Sequence, residues 1–350
     1  MDRRTILAGA GALGVAAATR AMAGATGADT TDDGWRRYRL TAEIDLSRPA
    51  PAQLWVPLAQ TAAGYQTASA PRYQASGEAR VVKDPRYGAA MLRVDWPAAA
   101  AERTVRVEQV IATRDRGLTP AQISAHERRF WTAPLPSMPT DGIVQATALR
   151  IVGSETQPRA KARAIYDWVV DNCFRDAAVR GCGIGGVEGM LKTGYLGGKC
   201  ADINSLAVAL NRAAGLPARD VYGVRLGPSK FQASLGAKSA DVTHAQHCRA
   251  EVWLDGEGWL PIDPADVRKV VLEAQLPVTS PQVKSERERL FGSWEMNWAG
   301  YNSATDVQLP GSATPPREHF LMYPLAITAA GEVDQLDADS FRYRLTSTPV

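Results

Sequence analysis

A cysteine acts as a nucleophile only where its thiolate is made available, and Cys200 stands at such a place. Gly197-Gly198-Lys199-Cys200 runs into Ala201-Asp202-Ile203-Asn204-Ser205-Leu206. Ile203, Leu206, Ala207, Leu210, Ala213 and Ala214 recur at helical spacing and form one apolar stripe. Gly215, just past the end, and Pro217 are stop signals. The pattern predicts a buried helix with Cys200 at its N-terminus, after a glycine loop. There the positive end of the helix dipole favours a thiolate, and free backbone N–H groups could hold the oxyanion of an attacked carbonyl. Gly197 and Gly198 would let a substrate approach closely, with Lys199 in the same loop. Asp202 adds negative charge one turn in, so the helix alone is insufficient and a histidine is required.

Two histidines follow, His244 and His247. The run Cys248–Leu254 alternates, placing His247, Arg249, Glu251 and Trp253 on one face. Asp255-Gly256-Glu257-Gly258 reads as a turn and Trp259-Leu260-Pro261-Ile262-Asp263 as the return strand. The hairpin carries Asp263 back towards His247, where a carboxylate can fix the imidazole tautomer. His247 lies inside the strand pattern and His244 before it, so His247 is preferred. Parity constrains the turn. A regular four-residue loop would place Asp263 opposite Ala250, on the wrong face. One residue more or fewer restores the match, so an odd-length loop or a β-bulge is expected, most naturally at Gly256 or Gly258.

Other elements must hold these pieces in place. Tyr38, Leu40, Ala42, Ile44 and Leu46 alternate with polar residues, and strand-like runs follow at 53–56, 91–96 and 104–112. Residues 35–115 therefore read as an antiparallel β domain, a sandwich. Thr119-Pro120 reads as an N-cap and first-turn Pro. Helical patterns run from there to about 215, with Ile165, Trp168 and Val169 on one face, and strands return at 219–226, 247–254 and 259–263. Helices followed by strands predict an α+β fold. The expected organisation is a leader at 1–23, a flexible start at 24–34, a β-rich domain at 35–115, a catalytic domain at 116–305 and a C-terminal extension at 306–350. Trp294 and Trp298, four residues apart, are candidates for the wall of a substrate cleft, though core packing accounts for them equally well.

Three ordered blocks carry a family resemblance. They are the glycine loop with Cys200 and its helix ending Arg212-Ala213-Ala214-Gly215-Leu216-Pro217-Ala218-Arg219, then His247-Cys248-Arg249-Ala250-Glu251-Val252-Trp253-Leu254, then Gly258-Trp259-Leu260-Pro261-Ile262-Asp263-Pro264. Together, over roughly 155–270, they resemble the core of the transglutaminase-like superfamily. The front half, including Leu54-Trp55-Val56-Pro57, resembles the front domain of bacterial exported members. The resemblance implies a papain-like fold and a Cys-His-Asp triad of Cys200, His247 and Asp263. It implies acyl transfer at amide bonds through a thioester. Water as acceptor gives a protease or amidase, and an amine gives a transglutaminase. Hydrolysis is favoured because an open cleft needs special features to exclude water. A binding protein with a relic triad is the contrasting reading.

The remaining features bound this expectation. The 350 residues are 45% hydrophobic and 22% charged, which suffices for roughly two domains with their own cores. A net charge of +3 without a basic stripe gives no reason to expect nucleic acid. Arg3-Arg4, a small-residue apolar run from Ile6 to Ala18 and Ala21-Met22-Ala23 resemble a twin-arginine export signal with its cleavage site. Loss of Arg3, Arg4, Arg20 and Asp2 with it would lower the charge to +1. No other run is long enough for a membrane span. An exported, periplasmic or secreted protein acting on peptide or protein, without a cofactor, is expected. Cys173 and Cys182 could form a disulfide in that setting. Cys248 faces away from His247 and is expected in the core; His126 and His319 have no evident partner. A metal site from Cys200, His244, His247 and Asp263 is the remaining alternative.

Overall fold

The first alternating run forms β1 (Arg36–Asp45) in the computed structural model, which describes residues 34–46, 53–62, 64–312, 314, 316 and 319–350. The leader expected at 1–23 and residues 24–33 lie outside the described residues. Strands β2 (Gln53–Pro57), β3 (Gln66–Ala68), β4 (Arg72–Ala75), β5 (Glu78–Lys83), β6 (Ala90–Asp95) and β7 (Thr104–Thr113) complete the front half. Tyr38, Leu40, Ala42 and Ile44 of β1 point into one core with Leu54, Val56, Leu92, Val94, Val105, Val107 and Ile111. Two sheets face each other across it, as the alternation requires.

Helices α1 (Ala125–Thr132), α2 (Gly142–Val152), α3 (Pro158–Asn172) and α4 (Val187–Thr193) follow, with the short parallel pair β8 (Phe174–Arg175) and β9 (Gly197–Gly198). Thr119 is not the first N-cap. It bridges to Trp259, and Pro120 lies in the loop beyond. Ser124 caps α1 instead, reciprocally with Glu127. That S-x-x-E box is legible in the sequence and is the better signal.

Helix α5 (Cys200–Ala213) is the axis of the second half, and every residue from Cys200 to Arg212 is buried. It packs on α2, α3 and α6 (Pro264–Glu273) and on β10 (Ala218–Arg225) and β11 (Gln246–Leu254). Burial of Leu206 alone contributes about 1.5–3 kcal/mol. Polar residues of the same helix make internal hydrogen bonds. Ser205 donates to Asp220 at 2.9 Å and Arg212 to the Ala218 carbonyl at 2.8 Å. The order β12 (Gly258–Ile262), β11, β10, β13 (Trp298–Asn302) gives one antiparallel sheet, and α7 (Pro281–Arg289) packs on α6. Helices on an antiparallel sheet, preceded by a β-sandwich, make this an α+β fold.

The segment 306–350, expected as an extension, pairs into the front half. Strands β14 (Leu325–Thr328) and β15 (Gly331–Glu332) extend the sheet of β2, β6 and β5, and β16 (Arg342–Pro349) lies along β1. Only Leu345 and Ser347 of β16 are buried, so its alternation is faint in sequence.

Candidate active site

Cys200 is the first residue of α5 and only 2% exposed, on the floor of a cleft of about 560 Å³. The loop before it is set by Asp202. That carboxylate accepts from the backbone N–H of Lys199 at 2.9 Å, Ile184 at 3.0 Å and Gly185 at 2.9 Å. It fastens a second glycine-rich turn to the helix N-terminus, and burial raises its pKa despite the three donors. Asp202 thus builds the loop that carries the thiol.

Gly197 and Gly198 do not have the role expected of them. Both are buried in β9, and Lys199 is the residue of this loop that lines the cleft. A Cβ on Gly197 would lie 2.4 Å from the Phe174 ring, and one on Gly198 would lie 2.5 Å from the Asp202 side chain. Glycine is required here by close packing against Phe174 and Asp202 in the loop before Cys200.

His247 reaches the site through the hairpin. Register runs Leu254↔Gly258, Trp253↔Trp259, Val252↔Leu260, Glu251↔Pro261 and Ala250↔Ile262, leaving a three-residue loop, Asp255 to Glu257. The loop is odd, with φ of +76° at Gly256 and +116° at Gly258. Continuing that register puts Asp263 on the face of Arg249 and His247. His247 Nε2 lies 2.7 Å from Asp263 Oδ2. That leaves Nδ1 as the ring nitrogen free to serve the thiol.

The carboxylate does two jobs. Asp263 is the N-cap of α6, and its Oδ1 accepts from the Asp266 backbone N–H at 3.1 Å. Asn204 of α5 donates to the same oxygen at 3.3 Å and to the Cys248 carbonyl at 2.9 Å, tying the helix that Cys200 opens to both strands. Asp266 is a second carboxylate on the imidazole, 3.4 Å from Nε2, and Arg225 pairs with it at 2.6 Å. Burial favours the neutral acid at Asp266, but the Arg225 guanidinium and His247 outweigh it and hold the acid well below its ordinary range. Asp263 moves the other way, raised by burial and by the neighbouring Asp266 charge. Burial and Arg225 push His247 down, yet Asp266 and Asp263 together leave it above its ordinary value. The neighbouring Cys182 and Cys248 thiols, with the His247 imidazole, hold the Cys200 thiol well below the usual thiol value against the opposing effect of burial. A low-lying thiol beside a raised imidazole favours a thiolate–imidazolium pair.

Asp266, Arg225, Asn204 and Cys182 are the partners that sequence reasoning missed. Only Asp266 carries a local signal, as the third residue of a helix opened by Asp263-Pro264. Cys248 is core, as expected, yet it also touches Cys200. Cys173 and Cys182 are free thiols, not a disulfide. His244 is exposed on the cleft rim, and Glu251, further along the His247 face of β11, is held by Arg116 and Arg219, so neither displaces His247 or Asp263. Trp294 and Trp298 do not wall the cleft. They are buried edge-to-face, ring centroids 5.5 Å apart, and donate to the backbone carbonyls of Ile262 at 3.1 Å and His247 at 2.8 Å. They buttress the strands that carry His247 and Asp263. Among the described residues one group, His247, Asp263 and Asp266, has metal-ligand spacing, and Arg225 already compensates its charge.

Residues 145–264, which include Cys200, His247 and Asp263, match the model of the Transglutaminase-like superfamily. An uncharacterised protein of Haemophilus influenzae is 38% identical over 337 residues, covering 89% of this chain and 90% of its own. The crystal structure of a candidate cysteine protease from Cytophaga hutchinsonii superposes with a TM-score of 0.50 at 14% identity, covering 90% of this chain and 98% of its own. At that identity the likeness speaks for the fold alone. The periplasmic domain of TgpA from Pseudomonas aeruginosa gives a TM-score of 0.37 at 16% identity, over 71% of this chain and 92% of its own.

Proposed function

The chain belongs to the transglutaminase-like superfamily, and we propose that it is a cysteine-dependent enzyme that cleaves amide bonds in peptides or proteins. The observation that supports this most is Cys200 at the N-terminus of α5, in a cleft, beside an imidazole whose Nε2 is 2.7 Å from Asp263. The thiolate attacks the amide carbonyl carbon, and the new C–S bond forms as the carbonyl oxygen takes the charge. The C–N bond then breaks, and the amine leaves with the proton of the His247 imidazolium. Water attacks the thioester with His247 taking its proton, the C–S bond breaks, and acid and free Cys200 are released. Asp263 holds the ring and stabilises its charge throughout. The cleft is open enough to admit water, which favours hydrolysis over transfer to an amine.

The twin arginines and the Ala21-Met22-Ala23 site support export, with the enzyme working outside the cytoplasm. Incubation with a peptide library and a labelled primary amine tests the chemistry. New peptide termini are expected, with little label incorporated, and Cys200→Ser should keep the fold while losing turnover. Predominant amine incorporation would make the protein a transglutaminase. Full turnover by the Ser variant would remove Cys200 from the mechanism.

A further inference from the structure

The cleft above Cys200 is charged in one sense only. Its walls carry Arg175, Arg180, Lys199, Arg225, Lys269 and Arg342, and among the described residues no carboxylate lines it. Three of these cations are compensated from outside the walls: Arg225 by Asp266 at 2.6 Å, Arg180 by Asp334 at 2.9 Å and Arg342 by Asp45 at 3.1 Å. Arg175, Lys199 and Lys269 have no ion pair among the described residues, and Arg175 Nη1 is buried without a hydrogen-bond partner. A buried guanidinium nitrogen left unpaired is costly. The crowding is visible at Lys269, whose pKa falls to about 8 through burial and the nearby Arg225 and Arg175 charges, against the pull of Asp266.

Topology puts these free cations around the nucleophile. Arg175 on β8 pairs with Gly198 on β9, two residues before Cys200, and Lys199 lies between. Lys269 stands on α6, the helix that Asp263 caps. An occupant of this cleft that also presents an amide to Cys200 would relieve the crowding by carrying an anion. A carboxylate suits it, because it can accept from a guanidinium and an ammonium together.

We propose that the enzyme selects peptides with a carboxylate within a residue or two of the scissile amide, seated on Arg175, Lys199 and Lys269. The carboxylate comes either from the chain terminus or from an acidic side chain. This rests on the thiol-enzyme reading above, but it is a statement about binding, so it can be read without turnover.

Two measurements separate the two claims. Binding is measured by fluorescence anisotropy on Cys200→Ala, with labelled peptides of one sequence made as a free acid, as a C-terminal amide, and as that amide with one glutamine replaced by glutamate. The free acid or the glutamate peptide should bind about tenfold or more tighter than the neutral amide, the share of one charge-assisted hydrogen bond. Which of the two binds identifies the carboxylate's source. Arg175→Gln and Lys269→Met in the same background should bring the ratio close to one, with Lys269→Arg retaining it. Equal binding of charged and neutral peptides, or an unchanged ratio in both neutralised variants, overturns the inference even if the wild type cleaves peptides. Tight carboxylate binding with no cleavage by the wild type sustains the inference as a binding site and defeats the enzymatic reading.

Discussion

At the residue scale, the site is a buried proton-sharing cluster, and its charges fix how activity should depend on pH. The Cys200 thiol is held low and the His247 imidazole is held high, so both are charged across an intermediate window. Activity should rise on the acid side as the pair loses its first proton. It should fall on the alkaline side as the imidazolium loses its own; each limb belongs to the pair. Asp263→Asn removes one of the two carboxylates that raise His247, so the alkaline limb should move to lower pH and narrow the plateau. A rate that climbs without limit into alkali, in wild type and variant alike, would mean an unassisted thiol. The positions of Cys200 at the start of α5 and of Asp263 on the face of His247 were legible in sequence, because helix stripe, strand alternation and chain order each point to them. Asp266, Arg225 and Asn204 were not, since their roles exist only once α5, α6 and β10 converge. Trp294 and Trp298 show the limit of spacing as a clue. Two tryptophans four apart say that a surface is covered, but not whether substrate or a strand covers it.

Elements are where parity decides the outcome. The three-residue loop between β11 and β12 follows from alternation and the need to bring Asp263 onto the face of His247, so it could be anticipated without coordinates. Strands β3, β4 and β5 could not, because they are short or largely exposed and their residues show no clean period. The two glycines of the hairpin differ in what they permit. At Gly256 the φ is +76° and a Cβ would meet nothing within 4 Å. At Gly258 the φ is +116° and a Cβ would lie 2.1 Å from the Thr119 carbonyl oxygen, which accepts from the Trp259 N–H at 2.9 Å. Gly256→Ala should therefore cost about 1 kcal/mol, the ordinary penalty of a left-handed alanine. Gly258→Ala should cost about 3 kcal/mol or more, because strain and a displaced bridge add to it. Urea midpoints at constant m would check this, and equal losses at the two positions would contradict the close packing of Thr119 on the hairpin.

On the scale of the whole molecule, the last strand joins the two halves. Strand β16 pairs with β1 from Asp45↔Arg342 to Tyr38↔Pro349, closing one edge of the front sandwich. Its other side grips the segment that leads into His247. The Val242 N–H donates to the Leu345 carbonyl at 2.9 Å, the Leu345 N–H donates to Thr243 Oγ1 at 3.0 Å, and Ser347 Oγ donates to the Leu226 carbonyl at 2.7 Å. The approach to this strand, including Gln335, Leu336 and Phe341, also lines the cleft. Removing 342–350 should therefore do more than bare the edge of β1. It should loosen the segment before His247, lower turnover, and slow iodoacetamide labelling of Cys200, although every triad residue is retained. Because a truncated chain could aggregate through its open edge, Leu345→Ala provides a second measurement. Leu345 is 4% exposed, so Leu345→Ala should cost about 2–5 kcal/mol. Below its melting transition that variant should label more slowly at Cys200 than wild type. A synthetic peptide of residues 342–350 should restore labelling to the deletion variant by adding back as a strand. Wild-type labelling and turnover in both variants, with stability alone reduced, would show that β16 serves only the sandwich and that the cleft is independent of it.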